Sequence, residues 1–353
     1  MYSTELHKDL VIGVDIGGTK VAAGLVDPSG EILCQHRNPM DSNNGAASGL
    51  ASVTKSIETA SAQAARVAGT HSRIRGVGIC SPGPLDPKTG VVVNPPNLPC
   101  WRNFPLGAEV ARLYRVPVKV DNDANAAGLA ETLWGSGRGY RNVFYVTIGT
   151  GIGTAILFDG RIYHGRTGAA AEGGHMSIDY NGPLCGCGKP GCIEILASGP
   201  AIARRARGKI ENGRASSLLD LASGDPERLT SPMVGQAASA GDAAASEVLH
   251  ETVQILSLWF GNMIDLLEPD IMIMGGGVAS MLKPFLAEIR DRLPVCCVNQ
   301  RCQEIPLVVA RYGEDAGIAG GAALCLAATT SHNHIAPAVG SEGSLPQLEE
   351  STT

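Results

Sequence analysis

No apolar run in these 353 residues approaches the length of a membrane span, and the opening M-Y-S-T-E-L-H-K-D-L-V-I-G has no signal-peptide core or cleavage site. A reducing, cytoplasmic compartment and no membrane partner are expected. Basic clusters are equally scarce. Net charge is −6, the densest group is Arg204, Arg205 and Arg207, and nothing forms the stripe that a nucleic-acid backbone needs. Two common nucleotide signatures are also missing. D-I-G-G-T-K at 15–20 lacks the P-loop spacing between its first glycine and Gly-Lys, and the later glycine loop at 149–153 fails the dinucleotide fingerprint because a strand follows it. What remains, with 44% hydrophobic and 18% charged residues, is an ordinary folded chain long enough for two cored domains.

Ten cysteines in a reducing compartment read as metal ligands or core residues, not disulfides. Cys185, Cys187 and Cys192 follow C-x-C-x4-C, interleaved with Gly186, Gly188, Gly191 and one proline, and His175 lies upstream. Three thiolates and one imidazole complete a tetrahedral zinc shell. Glu172 and Glu194 bracket these ligands. Closing the knot would draw both carboxylates beside a histidine whose second ring nitrogen is free to bond something else. The bracketing acids favour a knot that positions polar groups for a ligand over one that only staples a loop. Cys296, Cys297 and Cys302 lack a histidine and the glycine spacing, and Cys34, Cys80, Cys100 and Cys325 read as single core or surface residues.

Residues 10–15 are an apolar run ending in Asp15; I-G-G-T-K follows, then strands at 21–26 and 31–36 around a D-P-S-G turn. The pattern recurs. V-F-Y-V-T-I-G-T-G-I-G-T-A-I-L-F at 143–158, laid against V-I-G-V-D-I-G-G-T-K-V-A-A-G-L-V at 11–26, gives the same order of strand, polar residue, Ile-Gly, glycine turn and strand, with Thr147 where Asp15 stands. Two such hairpin loops imply a duplicated domain holding a phosphate chain between facing backbone amides, with Asp15 placed to hold Mg2+.

Periodicity and turn residues predict helices over 46–67, 105–114, 125–134, 198–208 (capped by Ser198), 242–267, 278–293 and from 314 to about 328. The segment 216–240 is expected to be helical and broken by Pro226 and Pro232. Strands are predicted at 74–80, 116–120, 270–274 and 305–310. The stripe Leu249, Val253, Leu256, Phe260, Met263 and Leu267 reads as core, with part of it available as a subunit interface. N-P-P-N-L-P-C-W at 94–101 is a stiff candidate lid. Strand 116–120 points at Asp121-Asn122-Asp123, and a strand end beside a helix start is where open α/β sheets place ligands. Asp121 is expected to finish the strand or cap the helix, while Asn122 and Asp123 face the ligand. Gly276 and Gly277 leave room for a flat ring such as adenine. The polar tail 329–353, with His332 and His334, is expected to be disordered.

Together these pieces resemble the ROK family (repressors, open reading frames and sugar kinases) of the actin-like ATPase superfamily, over about residues 10–326. The motifs are D-I-G-G-T-K at 15–20, S-P-G-P-L-D at 81–86, D-N-D-A-N at 121–125, I-G-T-G-I-G at 148–153, E-G-G-H at 172–175 and C-G-C-G-K-P-G-C-I-E at 185–194. The resemblance implies an α/β fold of two actin-like ATPase (ribonuclease H-like) domains around a central cleft. Residues 1–121, completed by a helix at 312–328, would form one, and 122–311 the larger one. It further implies an ATP-dependent kinase acting on the 6-hydroxyl of glucose. N-acetylmannosamine, N-acetylglucosamine, mannose and fructose stay open as substrates, and polyphosphate as donor.

The same resemblance assigns roles. Asp123 is the catalytic base, and Gly83, Asn122, Asp123, Glu172, His175 and Glu194 hold the sugar. Asp15, Gly17, Gly18, Thr19, Lys20, Thr150, Gly151, Gly276 and Gly277 hold the nucleotide with its Mg2+. His175, Cys185, Cys187 and Cys192 hold a structural zinc, and a homo-oligomer is expected. The glycine loops are expected to lie away from the knot. A-A-A-E-G-G-H departs from the usual A-G-E-I-G-H, so the extra glycine is expected to loosen the Glu172 contact. Regulators in the family carry a helix-turn-helix ahead of the first glycine motif. Only 14 residues precede Asp15 here, which favours a kinase.

Overall fold

The computed structural model describes residues 9–69 and 72–330. β1 (Asp9–Ile16) is buried from Leu10 to Val14, as suits a central strand covered on both faces. It turns through the first glycine loop into β2 (Lys20–Val26), and β2 into β3 (Ile32–Pro39). α1 (Ala46–Ser61) buries Val53, Ile57 and Ala60 against this meander. The helix predicted to reach residue 67 stops early. The Ala62 and Gln63 amides turn back onto the Glu58 and Ala60 carbonyls, and α2 (Ala64–Ala68) buries no residue that would hold it in line.

β4 (Arg73–Ser81), the small hairpin of β5 (Leu85–Asp86) and β6 (Val91–Val92), α3 (Leu106–Tyr114) and β7 (Val118–Asn122) complete the first half. Its sheet runs β3-β2-β1-β4-β7, with β1, β4 and β7 parallel. The 94–101 loop is pinned, which argues against a swinging lid. Leu98 and Trp101 are fully buried, and Trp101 stacks on Phe104 with centroids 5.2 Å apart.

α4 (Asp123–Trp134) follows β7 without a linker. β8 (Val143–Ile148), β9 (Ile152–Phe158) and β10 (Arg161–Ile162) then repeat the meander. After the cysteine segment come α5 (Ile193–Ala197), α6 (Gly199–Glu211), α7 (Leu218–Leu221), α8 (Ser231–Ser239) and α9 (Ala243–Leu267). β11 (Ile271–Gly275), α10 (Gly277–Leu282), α11 (Leu286–Arg292), β12 (Leu307–Val309) and α12 (Ala316–Thr330) close the chain. The second sheet runs β10-β9-β8-β11-β12, again three antiparallel strands followed by parallel ones. The sequence repeat is thus a repeat of structure, with one slip. Ile16 pairs with Val21 across four residues and Ile148 with Ile152 across three, so a position-by-position overlay slips by one beyond the turn.

Prolines behave differently from expectation. Pro226 and Pro232 stand in the first turns of a 3-10 helix and of α8, where a missing amide costs nothing, so they start helices and do not break one. Pro284 does interrupt, splitting the predicted 278–293 helix into α10 and α11. Ser198 precedes α6 but makes no capping bond, whereas Asp242 Oδ1 caps α9 through the Ala245 amide at 2.9 Å. The α9 stripe is core: Leu249, Val253, Leu256, Phe260 and Met263 are buried within the chain, so an interface would have to use another face.

α4 and α12 lie between the sheets. α12 packs on β1 and β4, and α4 on β8 and β9. The approach is close enough to require glycine, since a Cβ on Gly13 would overlap the Ile318 carbonyl and one on Gly78 the Gly321 carbonyl. The tail from 331, with His332 and His334, lies outside the described residues.

Candidate active site

β7 carries the sequence Asp121-Asn122 to the cleft and α4 begins at Asp123. The helix cap is Asn122, not an aspartate. Its Oδ1 accepts from the Ala124 and Asn125 amides at 2.9 and 3.4 Å. Asp121 does not cap because Asn122 stands between it and the first residue of α4 and its carboxylate is engaged elsewhere. One of its oxygens accepts from the Asn122 amide and Asn125 Nδ2, and the other meets His164 Nε2 at 2.6 Å. With Oδ1 of Asn122 committed to the helix, its Nδ2 remains toward Gly83. Asp123, the first residue of α4, is exposed, with protein groups packed around its carboxyl. Burial raises its carboxyl to about 6, helped by the negative charges of Asp15 and Glu172 and opposed by the Ala124 amide. Asp15 and Glu172 thus lie near enough for their charges to act on Asp123.

Asp15 stands one residue before the end of β1, with Cys80 Sγ 3.7 Å from its Oδ1 and the backbone of Gly317 directly behind it. Burial raises its pKa, while Cys80, Lys20 and Arg37 counter the shift. The first loop is closed by the Gly17 amide on the Lys20 carbonyl, and Gly18 lies against the Asn97 backbone. Thr19 and Lys20 are exposed. Gly149 and Thr150 of the second loop border a cavity of about 990 Å³ together with Gly277, Val278, Met281 and Phe285, whereas Gly151 lies against the Glu194 carboxylate and not on the cavity wall. Gly276, at φ 85°, lies against the Ile148 carbonyl just outside it. The first loop does not line this cavity; Thr150 and Gly277 do.

The cysteine segment folds as the spacing predicted. The ligand atoms of His175, Cys185, Cys187 and Cys192 lie within 4.8 Å of one another. Cys187 and Cys192 Sγ are 3.6 Å apart, and Cys185 Sγ is 3.7 Å from His175 Nδ1, like corners of one coordination tetrahedron. Among the described residues no other group of His, Cys, Asp and Glu gathers this way. The knot is not remote from the glycine loops. Cys192 leads directly into α5, whose Glu194 places Oε1 3.9 Å from His175 Nδ1 and accepts the Ile152 amide on Oε2 at 2.9 Å. The Gly199 amide adds a bond to the Gly149 carbonyl.

The backbone on both sides of Glu172 is held in place. Thr154 Oγ1 donates to the Ala171 carbonyl at 2.6 Å and accepts the Gly173 amide at 2.9 Å, clamping both sides of Glu172. Gly173 is buried against that hydroxyl, and Ala171 takes the left-handed conformation (φ 63°). Sequence reasoning missed Thr154, His164 and Cys80. The one available signal was a polar residue, Thr154, inside an otherwise apolar buried strand.

Comparison with known proteins gives the same reading. The family model described as the ROK family matches residues 11–328. The chain is 34% identical to a glucokinase of Thermotoga maritima over 315 residues, covering 89% of this chain and 96% of that one. It is 35% identical to a glucokinase of Streptomyces coelicolor over 318 residues, covering 89% and 97%. Among solved structures it resembles a ROK family glucokinase from Streptomyces griseus in complex with glucose and AMPPNP. That match has a TM-score of 0.75 and 33% identity, and covers 89% of this chain and 98% of that one.

Proposed function

The chain belongs to the ROK family, and from that premise we propose that it is an ATP-dependent hexose kinase acting on the 6-hydroxyl of glucose. Its paired sheets are the two domains of the actin-like ATPase fold. The observation that carries the reaction is Asp123, a cleft carboxylate held near 6 on the first turn of α4. A base with a pKa near working pH both accepts a proton readily and gives it up afterwards.

Phosphoryl transfer passes through a loose transition state, so the protein chiefly aligns the groups and balances charge. Asp123 takes the proton of the 6-hydroxyl as its oxygen bonds to the γ-phosphorus. The bond to the bridging oxygen breaks, and ADP leaves. Asn122 Nδ2, the Gly83 backbone, Glu172, His175 and Glu194 orient the ring, the carboxylates by accepting from its hydroxyls. Amides of Gly18, Thr19, Lys20, Thr150 and Gly151 hold the phosphates, while the Gly17 amide is spent on the Lys20 carbonyl and shapes the loop; Asp15 holds their Mg2+ and Gly276 and Gly277 border the base. Residues 1–121 with 312–328, and 122–311, are the units that close on the substrates and exclude water.

Zinc is the metal the donor set suits, since at about 2.3 Å per Zn–S bond the sulfurs of a tetrahedral site stand about 3.8 Å apart. Held by His175, Cys185, Cys187 and Cys192, it would fix the knot that carries Glu194. A homo-oligomer belongs to the same reading and is supported by Leu258 and Leu266, which are exposed on the outer side of α9.

A coupled assay with ATP and a panel of glucose, mannose, fructose, N-acetylmannosamine, N-acetylglucosamine and galactose tests the proposal. ATP consumption only with added sugar, fastest on glucose, and no shift of duplex DNA is the expected result. Faster turnover of an N-acetylhexosamine would replace the substrate, and DNA binding without turnover on any sugar would overturn the kinase.

A further inference from the structure

His164 stands outside every assignment above, yet it touches both halves of the sugar site. We infer that His164 is a positioning residue for phosphoryl transfer: acting through Asp121, it holds the catalytic turn 121–123 against the loop that carries Glu172. The inference rests on the kinase reading.

The side chain grips one half. His164 Nε2 lies 2.6 Å from Asp121 Oδ2, and Asp121 is buried. The other oxygen of Asp121 accepts the Asn122 amide at 2.7 Å and Asn125 Nδ2 at 3.0 Å. Both oxygens are therefore committed, and the carboxylate is the post around which Asn122 and Asp123 turn into α4. The backbone of His164 organises the other half. Its carbonyl accepts the Gly168 and Ala170 amides at 3.1 and 3.3 Å, folding the segment that leads into Ala171 and Glu172.

That segment also spans the cleft. Gly168, at φ 94°, lies so close to the Pro87 ring that an added Cβ would come within 2.7 Å of its Cδ. The 164–170 loop thus bridges from β10 in the second sheet to the β5–β6 hairpin at Pro87 and, through His164, to Asp121 near the end of β7 in the first sheet. Remove the imidazole, and one oxygen of a buried carboxylate loses its partner, a costly state that the turn would relax by moving. Displacement of Asp123 and Asn122 relative to Glu172 misaligns hydroxyl and phosphate, and small misplacements cost rate steeply. Asp121 raises the imidazole pKa through its hydrogen bond, while partial burial and the charge of Lys88 oppose it. The contact is therefore strongest with His164 protonated and weakens as pH rises through its folded pKa, which lies above the ordinary imidazole value.

Kinetics of the full, metal-loaded chain test this. His164→Leu should lower kcat and raise the glucose KM, each about 10-fold, with the ATP KM changed less than about 2-fold and metal content at the wild-type level. His164→Gln, whose amide can donate to Asp121, should recover most of both. In the wild type the glucose KM should rise as pH is raised through the folded pKa of His164, and in His164→Gln this rise should vanish. Wild-type kinetics in His164→Leu, no recovery in His164→Gln, or an equal loss of ATP affinity would overturn the role. If His164→Leu does not fold, the pH profiles decide: the same slope in the wild type and His164→Gln overturns it. Wild-type turnover in the same assay separates the two claims, since its absence sinks the kinase reading itself, and its presence beside unaffected variants sinks only His164.

Discussion

Asp121 and Asp123 are two positions apart, and the direction of their oxygens divides the work between them. Asp121 points into the protein and is fully engaged by Asn122, Asn125 and His164. Asp123 points into the cleft, where burial and two neighbouring acids hold it near 6. Asp123→Asn keeps the shape but cannot take a proton, so kcat should fall by about 10²–10⁴-fold, or roughly 3–5 kcal/mol of barrier. The glucose KM should change much less, as steady-state kinetics can check. The sign of the pH dependence follows from the raised pKa: the base is ready above about 6, and kcat/KM should fall as pH drops below it. The gathering of His175 with Cys185, Cys187 and Cys192 was readable from the sequence because the cysteine chemistry is packed into a few positions with glycine spacing. Thr154 and His164 were not, since their partners Ala171 and Asp121 lie 17 and 43 residues away and only folding brings them together.

At the level of elements, the cysteine knot and the second glycine loop form one piece. Glu194 bonds the Ile152 amide, and Gly199 bonds Gly149, so a disturbance in the knot reaches the phosphate loop. Cys187→Ser should lose the bound metal and most glucose affinity. Nucleotide affinity should weaken as well, by a smaller factor, in contrast to the independence that the spacing in sequence suggested. Metal analysis with separate titrations of glucose and a nucleotide analogue would check this, and unchanged glucose binding in the metal-free variant would count against it. Helix positions were legible from the apolar stripes. Helix limits were not, because Pro226 and Pro232 can equally end one helix or begin another, and only the tertiary contacts chose the second.

The whole molecule is two copies of one sheet plan clamped on α4 and α12. The hairpin repeat at 11–26 and 143–158 announced the duplication, because both copies keep a strand, a glycine turn and a strand. Nothing announced how closely α12 would lie on the first sheet. Gly13 and Gly78 look like ordinary strand glycines until their missing side chains prove to be the space that α12 fills. Gly78→Ala should therefore destabilise the protein by about 1–3 kcal/mol through overpacking, seen as a lower Tm in thermal unfolding. If the two halves close on their substrates as this architecture allows, water is kept from the γ-phosphate and transfer goes to the sugar. Phosphorus NMR of a reaction with ATP and glucose measures that directly. The account predicts glucose 6-phosphate in a one-to-one ratio with ADP and little free phosphate. Free phosphate as the main product, or a phosphate on any hydroxyl other than the sixth, would contradict it.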